Sequence, residues 1–167
     1  IKGLHHNAYR CRDSEETRAF YEDFLGLPLA AALDLGETKT GRATHTLHTF
    51  YRLDDGSVLA FFETDDFPFE FKPQHDYDLH IALEVAPDVL QPMLAKARQH
   101  GIEVRGPSDH GWIHSIYFRD PSGHRLELAV NTSTPQMDKE LDRVKWEMLD
   151  EWDRTKKAPQ HARWMHD

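Results

Sequence analysis

Apolar residues recur every three to four positions in a first segment that carries helix signals at both ends. Asp13 and Glu16 have the spacing of a capping box, which predicts the helix start. Phe20 and Phe24 give the segment an apolar face, and Gly26 is a residue type that often follows a last helical turn. Strand-like runs surround this helix at residues 4–11, 29–33, 44–53 and 57–63. The predicted order is one strand, one helix and three strands.

The second half of the chain repeats this order. A strand is predicted at 79–85, a helix over 88–99, and further strands at 103–105, 113–119 and 125–130. Both first strands contain the pattern His-x-Ala, at His6 and at His80, and each histidine precedes the glycine after its helix by 20 or 21 residues. We therefore predict an α+β fold of two tandem βαβββ modules, residues 1–64 and 79–131, joined by a linker over 65–78.

In the remaining segment, residues 132–167, the apolar residues have only the spacing that is typical of a helix. After Pro135 its apolar positions recur every three or four residues, at Met137, Leu141, Val144, Met148 and Trp152. Its polar face carries charges of both signs. We therefore expect a helix that packs on its own domain or on a dimer partner rather than on a membrane.

Composition argues against several classes of partner. The chain has 167 residues, with 20 Lys and Arg against 29 Asp and Glu, and a formal net charge of −9 argues against nucleic acid. No apolar run reaches the roughly 20 residues of a membrane span, and the opening residues do not resemble a signal peptide. The single cysteine, Cys11, excludes an internal disulfide and a Cys-rich zinc site. We therefore expect a cytoplasmic protein without a membrane or nucleic-acid partner.

Twelve histidines make histidine the main candidate for chemistry, because it is the commonest metal ligand. Side chains alternate along a strand, so Leu126 and Leu128 mark one face of the last strand as core and place Glu127 on the other face. His6 and His80 take equivalent positions on the first strands of the two modules. Either histidine alone is more simply explained as a structural residue. Together with Glu127 they form a facial triad, which leaves open positions on a divalent metal.

These residues lie in motifs that resemble the vicinal oxygen chelate superfamily of glyoxalases, fosfomycin- and bleomycin-resistance proteins and extradiol dioxygenases. The matching motifs are Leu4-His5-His6, Phe20-Tyr21, Leu25-Gly26-Leu27, His80-Ile81-Ala82 and the run from Tyr117 to Glu127. The resemblance covers residues 1 to about 131 and implies paired modules whose curved mixed sheets surround a metal. It implies His6, His80 and Glu127 as ligands, contributed by one chain or by two chains of a homodimer.

Within this superfamily, the second half is most similar to the extradiol ring-cleaving dioxygenases. The run from His110 through Tyr117 to Glu127 fits their spacing, with a departure from the usual residue type at Ser108.

Two other branches fit less well. Glyoxalase-like members have a further carboxylate ligand where this chain has Ala60, and Glu63, three residues away, points to the opposite face of a regular strand. We find no cluster of Lys, Arg and Ser or Thr that resembles the phosphonate and thiol sites of fosfomycin transferases.

The resemblance implies oxidative cleavage of a small-molecule substrate, an aromatic vicinal diol, with O2. Fe(II) is the expected metal, and Mn(II), Zn(II), Ni(II) and Co(II) are alternatives. Three protein ligands on a six-coordinate ion leave places for two substrate oxygens and O2. His110 is the preferred acid–base group and His114 the alternative, while Tyr117 is expected to hydrogen-bond a substrate oxygen.

Two further functions stay open at this point. One is a non-redox isomerase, epimerase or lyase that uses the metal to stabilise an enediolate. The other is a metal-free protein that sequesters a small molecule. Six aromatic residues could line an apolar pocket, although most of them are expected in the core: Phe50, Phe62, Phe67, Phe69, Phe71 and Trp112.

Overall fold

A computed structural model describes residues 1–73 and 75–157 and contains two four-stranded mixed sheets. The first consists of β1 (His6–Arg10), β2 (Leu29–Glu37), β3 (Ala43–Arg52) and β4 (Val58–Thr64), in the spatial order β1-β4-β3-β2. The second consists of β5 (Ile81–Glu84), β6 (Val104–Asp109), β7 (Ile113–Arg119) and β8 (Arg125–Asn131), in the order β5-β8-β7-β6. In each sheet the first and last strands are parallel neighbours, and all other neighbours are antiparallel. This arrangement confirms the predicted α+β fold of two βαβββ modules.

A helical segment connects the first two strands of each sheet. In the first module α1 (Ser14–Arg18) continues directly as a π-helical segment, Ala19–Phe24. In the second module the equivalent element is α2 (Leu90–Gln99). The predicted C-terminal helix is α3 (Pro135–Thr155), which follows the second sheet.

The chain forms two compact units, and each unit is made of two separate segments of the sequence. The first unit comprises Ile1–Leu79 and the loop Asp120–His124, and the second comprises His80–Arg119 and the chain from Arg125 onward. The loop therefore connects β7 to β8 but belongs to the first unit. The predicted module and linker boundaries stay a prediction.

Asp120 explains why this loop belongs to the first unit. The Tyr21 hydroxyl donates to one carboxylate oxygen of Asp120 at 3.0 Å, and the His124 imidazole lies 2.9 Å from the same oxygen. The other oxygen accepts the backbone N–H groups of Ser122 and His124 at 3.0 and 2.8 Å. Burial, followed by the negative charge of Asp120, raises the pKa of Tyr21 well above its usual range.

The core of the first unit lies on the face of the sheet formed by the odd-numbered residues of β3 and β4. Tyr51 and Phe61 on this face are fully buried, and the Tyr21 ring centroid lies 4.6 Å from that of Phe61. The opposite face carries His6 and His48, as strand pairing with Val58 and Phe62 shows. Alternation along β3 and β4 thus separates a packed aromatic core from a face that bears histidines.

The core of the second unit follows the pattern predicted for the last strand. On β8, Leu126 and Leu128 are buried, as are Leu90 and Leu94 on α2. Glu127 lies on the other face of the sheet, because successive side chains point to opposite sides of a strand.

Strand β6 is longer than the predicted strand at 103–105. Gly and Pro at positions 106 and 107 indicate a chain break in the sequence, but the strand continues through a register shift between Arg105 and Ser108. Gly106 has a φ of +104°, and a Cβ atom at this position would lie 2.6 Å from the carbonyl oxygen of Ser115. The close approach of β7 therefore requires glycine here.

The expectation that most of the six candidate pocket aromatics lie in the core was wrong. None of them is buried: Phe50, Phe62, Phe69 and Phe71 are partly exposed, and Phe67 and Trp112 are exposed. Phe50 and Phe62 lie on the sheet face opposite the core. Their even-numbered positions along the strands therefore indicated their location better than their hydrophobicity did.

Helix α3 buries only a narrow row of apolar side chains. Val144 is fully buried, Met137, Leu141 and Met148 are partly buried, and Trp152 is exposed. None of the helices in residues 1–73 and 75–157 is both long and apolar enough to cross a membrane.

Candidate metal and catalytic site

A buried carboxylate occupies the centre of the second sheet. Glu127 is 3% exposed, and the Ser115 hydroxyl donates a hydrogen bond to its Oε1 atom. Its Oε2 atom contacts Nε2 of His80. The His80 side chain is 31% exposed. Solvent therefore reaches this pair of residues at His80, whereas Glu127 is buried.

Strand register explains why these three residues meet. Strand β5 is parallel to β8 with Ala82 opposite Glu127, and His80 lies just before β5. Strand β7 is antiparallel to β8 with Ser115 opposite Ala129, a diagonal neighbour of Glu127. The two alanines are small, which leaves room for the carboxylate between the neighbouring strands.

Tyr117 connects this carboxylate with His110. Tyr117 is directly opposite Glu127 on the neighbouring strand, and its hydroxyl lies 2.7 Å from Nε2 of His110. The Tyr117 ring centroid is 6.2 Å from that of His80 and 6.3 Å from that of His110. The Arg125 guanidinium lies 4.5 Å from the same ring, at cation–π distance. The structure therefore brings together His80, Glu127, His110 and Tyr117.

Two effects raise the pKa of the Tyr117 phenol above its usual value. The larger is burial, and the second is the negative charge of Glu127. Both disfavour the phenolate, so the hydroxyl keeps its proton at neutral pH. A protonated phenol can donate a hydrogen bond to an oxygen atom of a bound molecule.

The second acid–base candidate, His114, lies elsewhere. Its strand partner is Val130, on the core side of the sheet, whereas Tyr117 is opposite Glu127. The His114 imidazole lies 3.2 Å from the carboxylate of Asp109. The odd spacing between His114 and Tyr117 therefore separates them, and a catalytic role of His114 stays a prediction.

The third predicted metal ligand, His6, belongs to the first unit. It is exposed at the start of β1, with its Nδ1 atom 2.7 Å from Nδ1 of His5 and its ring 6.4 Å from that of Phe50. Among residues 1–73 and 75–157, no three His, Cys, Asp or Glu side chains gather into a group that could hold a metal ion. The structure thus brings two of the three predicted ligands together within one unit.

The donor atoms of His80 and Glu127 fit a divalent metal. An imidazole nitrogen and a carboxylate oxygen are the ligand types that iron, manganese and zinc accept in proteins. Burying a carboxylate is costly unless a positive charge compensates for it, and the Ser115 hydroxyl that contacts Oε1 carries none. A cation beside Oε2 of Glu127 would provide this compensation.

Glu63, the other candidate carboxylate, faces away from the histidine-bearing side of the first sheet. It accepts the backbone N–H of Ser14 at 2.6 Å and lines a cavity of about 350 Å³ beside the start of α1. Ala60, which the resemblance places at the position of a fourth ligand, is completely buried.

Comparison with known proteins gives the family. Residues 3–128 match the model of the Glyoxalase/Bleomycin resistance protein/Dioxygenase superfamily. The chain belongs to this superfamily. The resemblance in the sequence motifs is thereby confirmed.

Curated relatives within the superfamily differ in chemistry. Glutathione transferase FosA of Serratia marcescens is 25% identical over 132 residues, covering 79% of this chain and 83% of the relative. Biphenyl-2,3-diol 1,2-dioxygenase 3 of Rhodococcus globerulus is 48% identical over 40 residues, which are 23% of this chain and 21% of that enzyme.

Solved structures support the superfamily fold. Glyoxalase I of Leishmania major has a TM-score of 0.61 at 17% identity, covering 92% of this chain and 99% of that one. The fosfomycin resistance protein FosX of Listeria monocytogenes, solved with Mn(II) and a dihydroxypropylphosphonic acid, has a TM-score of 0.58 at 20% identity, covering 83% and 98%. At these identities the likeness shows the fold alone.

Sequence reasoning missed two residues beside this candidate site. Ser115 and Arg125 contact Glu127 and Tyr117 respectively. Both positions share a sheet face with Tyr117 and Glu127 at a spacing of two residues, and this period was the available signal.

Proposed function

We propose that the chain is a metal-dependent dioxygenase of the extradiol type, which opens the ring of an aromatic vicinal diol with O2. The observation that carries the proposal is the 2.7 Å contact between His110 and Tyr117, because Tyr117 pairs directly with Glu127, whose carboxylate contacts His80. An acid–base imidazole, a hydrogen-bonding phenol and side chains able to hold a metal are groups that such a reaction can use. The short match to a biphenyl-diol dioxygenase supports the same reaction class.

The proposed metal ligands are His80 and Glu127, with His6 as the third. His6 would come from the same chain or from the second copy in a homodimer. Fe(II), or alternatively Mn(II), Zn(II), Ni(II) or Co(II), held by three protein ligands would supply open positions for two substrate oxygens and O2.

His110 and Tyr117 have separate proposed tasks. The Tyr117 hydroxyl, directly opposite Glu127 and 2.7 Å from Nε2 of His110, donates a hydrogen bond to a substrate oxygen. The His110 imidazole, in contact with that hydroxyl, accepts a proton from the diol and later returns it to the product. An imidazole can do both, because its acceptor nitrogen takes up the proton and the resulting imidazolium gives it back.

A non-redox reaction is the second candidate, and the coverage of the fosfomycin-resistance relative favours it. The match to glutathione transferase FosA extends over 132 residues, compared with 40 for the dioxygenase. In such a reaction the same metal ligands would stabilise an enediolate or an anionic substrate oxygen without consuming O2.

Oxygen uptake distinguishes the two candidates. We expect the anaerobically purified, Fe(II)-loaded protein to consume one O2 for each molecule of catechol, 3-methylcatechol or biphenyl-2,3-diol. With ¹⁸O2, the product should gain two labelled oxygen atoms. Metal analysis comes first: a protein that retains no stoichiometric metal contradicts both enzymatic functions and leaves metal-free ligand binding. Full iron loading without turnover of any diol contradicts ring cleavage.

Substitution of His110 tests the assigned acid–base group. We expect His110→Ala to lower kcat by about 10²- to 10⁴-fold at unchanged metal content. His100→Ala, which removes an exposed imidazole at the end of α2, is the control and should retain wild-type kcat. His114→Ala is measured in parallel, and a larger loss there than in His110→Ala would transfer the acid–base role to His114.

A further inference from the structure

The two oxygen atoms of Glu127 have different environments. Oε1 accepts a hydrogen bond from the Ser115 hydroxyl, and Oε2 contacts the imidazole of His80. Ser115 is 0% exposed, so solvent does not compete with this hydrogen bond. One oxygen is therefore held by the protein, and the other faces the partly exposed ligand residue.

Strand pairing fixes the position of Ser115. The residue is in the middle of β7, opposite Ala129 on β8, and both neighbouring strands, β6 and β8, pair with it. On its other side, Gly106 brings the β6 backbone close to the carbonyl oxygen of Ser115. The hydroxyl is thus carried by a rigid part of the sheet, which suits a group that orients another side chain.

We infer that Ser115 is a positioning residue, which occupies Oε1 of Glu127 and so restricts the carboxylate to binding metal through Oε2 alone. The inference rests on the proposed function. A carboxylate with both oxygens free can bind a metal through one or two of them, whereas a carboxylate hydrogen-bonded at one oxygen keeps a single orientation. A single-oxygen ligand also occupies only one position of the metal, which leaves more positions for substrate.

Mn(II) titration of the full chain, followed by the electron paramagnetic resonance signal of free Mn(II), tests the inference directly. We expect one site in the wild type and an affinity about 10- to 100-fold lower in Ser115→Ala. Ser115→Thr retains the hydroxyl and should restore the affinity to within about threefold of the wild type. Ser133→Ala is the control: Ser133 uses its backbone N–H to bind Asn131, and its loss of the hydroxyl should not change the affinity.

A spectroscopic measurement separates orientation from general damage to the fold. X-ray absorption of the Mn(II)-loaded proteins should show a carboxylate carbon closer to the metal in Ser115→Ala than in the wild type, because a carboxylate that binds through both oxygens brings its carbon nearer to the ion. Ser115→Cys keeps the approximate volume with a weak donor and should show an intermediate affinity, which covers the case in which the alanine variant does not fold.

The outcomes are distinguishable. If the wild type binds no Mn(II), the proposed function fails and the inference with it. If the wild type binds Mn(II) while Ser115→Ala, or Ser115→Cys where alanine does not fold, binds it equally tightly with an unchanged distance between the metal and the carboxylate carbon, the inference alone is overturned.

Discussion

Tyr21 is a fully buried phenol whose hydroxyl donates to the buried carboxylate of Asp120. Because its pKa is raised in the folded chain, Tyr21 keeps its proton at a pH at which the phenol of an unfolded chain, with a pKa of about 10, loses it. The unfolded state then binds fewer protons than the native state, so the free energy of unfolding falls as the pH rises above about 10.

Replacing Tyr21 with Phe removes both the hydrogen bond and this pH dependence. We expect Tyr21→Phe to lower the free energy of unfolding by about 1–2 kcal/mol at pH 7, measured by urea denaturation. The difference from the wild type should shrink as the pH rises above about 10. Tyr77→Phe, at a tyrosine that is 84% exposed, is the control. A difference between Tyr21→Phe and wild type that stays constant to pH 11 would contradict the raised pKa.

Gly106 gives a second prediction for a single residue. A Cβ atom at this position would be 2.6 Å from the Ser115 carbonyl oxygen, at a φ of +104°. We expect Gly106→Ala to destabilise the fold by about 2–4 kcal/mol, as measured by chemical denaturation. Gly36→Ala, where no atom lies within 4 Å of the added carbon and φ is not positive, should change stability by less than about 1 kcal/mol. Similar losses for the two variants would argue against the close approach.

At the scale of residues, the alternation of side chains along a strand predicted which face of the sheet each side chain lies on. It did not predict which other side chain each one contacts. The alternation along the last strand correctly placed Leu126 and Leu128 in the core and Glu127 on the other face. It could not identify Ser115 as a partner of Glu127, because that contact depends on the register between β7 and β8, which the sequence of either strand leaves undetermined.

The first two helices begin differently, although the sequence offers an aspartate before each. Asp13 is the N-cap of α1, and its carboxylate accepts the N–H of Glu16 at 2.8 Å. Asp88, predicted to start the second helix, lies in the turn before α2, whose N-cap is Val89 without a side-chain hydrogen bond. The second helix therefore starts two residues later than predicted.

This contrast predicts unequal effects of two matched substitutions. We expect Asp13→Ala to reduce the free energy of unfolding by about 1 kcal/mol, because an N-H group at the start of α1 loses its acceptor. Asp88→Ala should change it by less than about 0.5 kcal/mol. Urea denaturation of both variants at pH 7 measures the difference, and equal losses would mean that Asp13 at the start of α1 contributes no more to stability than Asp88.

Helices and strands were predictable where the apolar residues followed one clear spacing along the sequence. The long apolar period after Pro135 correctly indicated α3, and the repeated order of strands and helices correctly indicated the two sheets. The π-helical segment Ala19–Phe24 was not predicted, because the apolar positions of α- and π-helices differ little over six residues. Strand β6 was cut short in the prediction, since its Gly106 and Pro107 also occur in turns.

For the whole molecule, metal binding should appear as added stability. A ligand that binds only the folded chain raises the free energy of unfolding by about 2.7 kcal/mol at 100 times its Kd. We expect Mn(II) at this excess to raise Tm by roughly 5–10 °C, with a chelator reversing the shift.

Glu127→Gln should abolish this shift, because the proposed ligand loses its charge. Glu84→Gln is the matched control, on the exposed end of β5, and should keep the wild-type response. A full thermal shift in Glu127→Gln would remove this residue from the proposed ligand set.

The superfamily and the fold of the two modules were accessible from the sequence, because several motifs occur in the right order along about 130 residues. The reaction was not, because the relatives that the chain resembles differ in their chemistry. The division of the chain into units was also hidden, since it depends on Asp120 contacting Tyr21 at a separation of 99 residues.

This long separation has a consequence for synthesis on the ribosome. When residues 1–79 have emerged, the first sheet is complete, but Tyr21 still lacks the acceptor for its buried hydroxyl. That acceptor is translated only after β7, so Tyr21 has to wait for nearly half of the carboxy-terminal part of the chain before its hydroxyl has a partner. Nascent chains stalled before position 120 should therefore be more susceptible to protease than chains released after position 124.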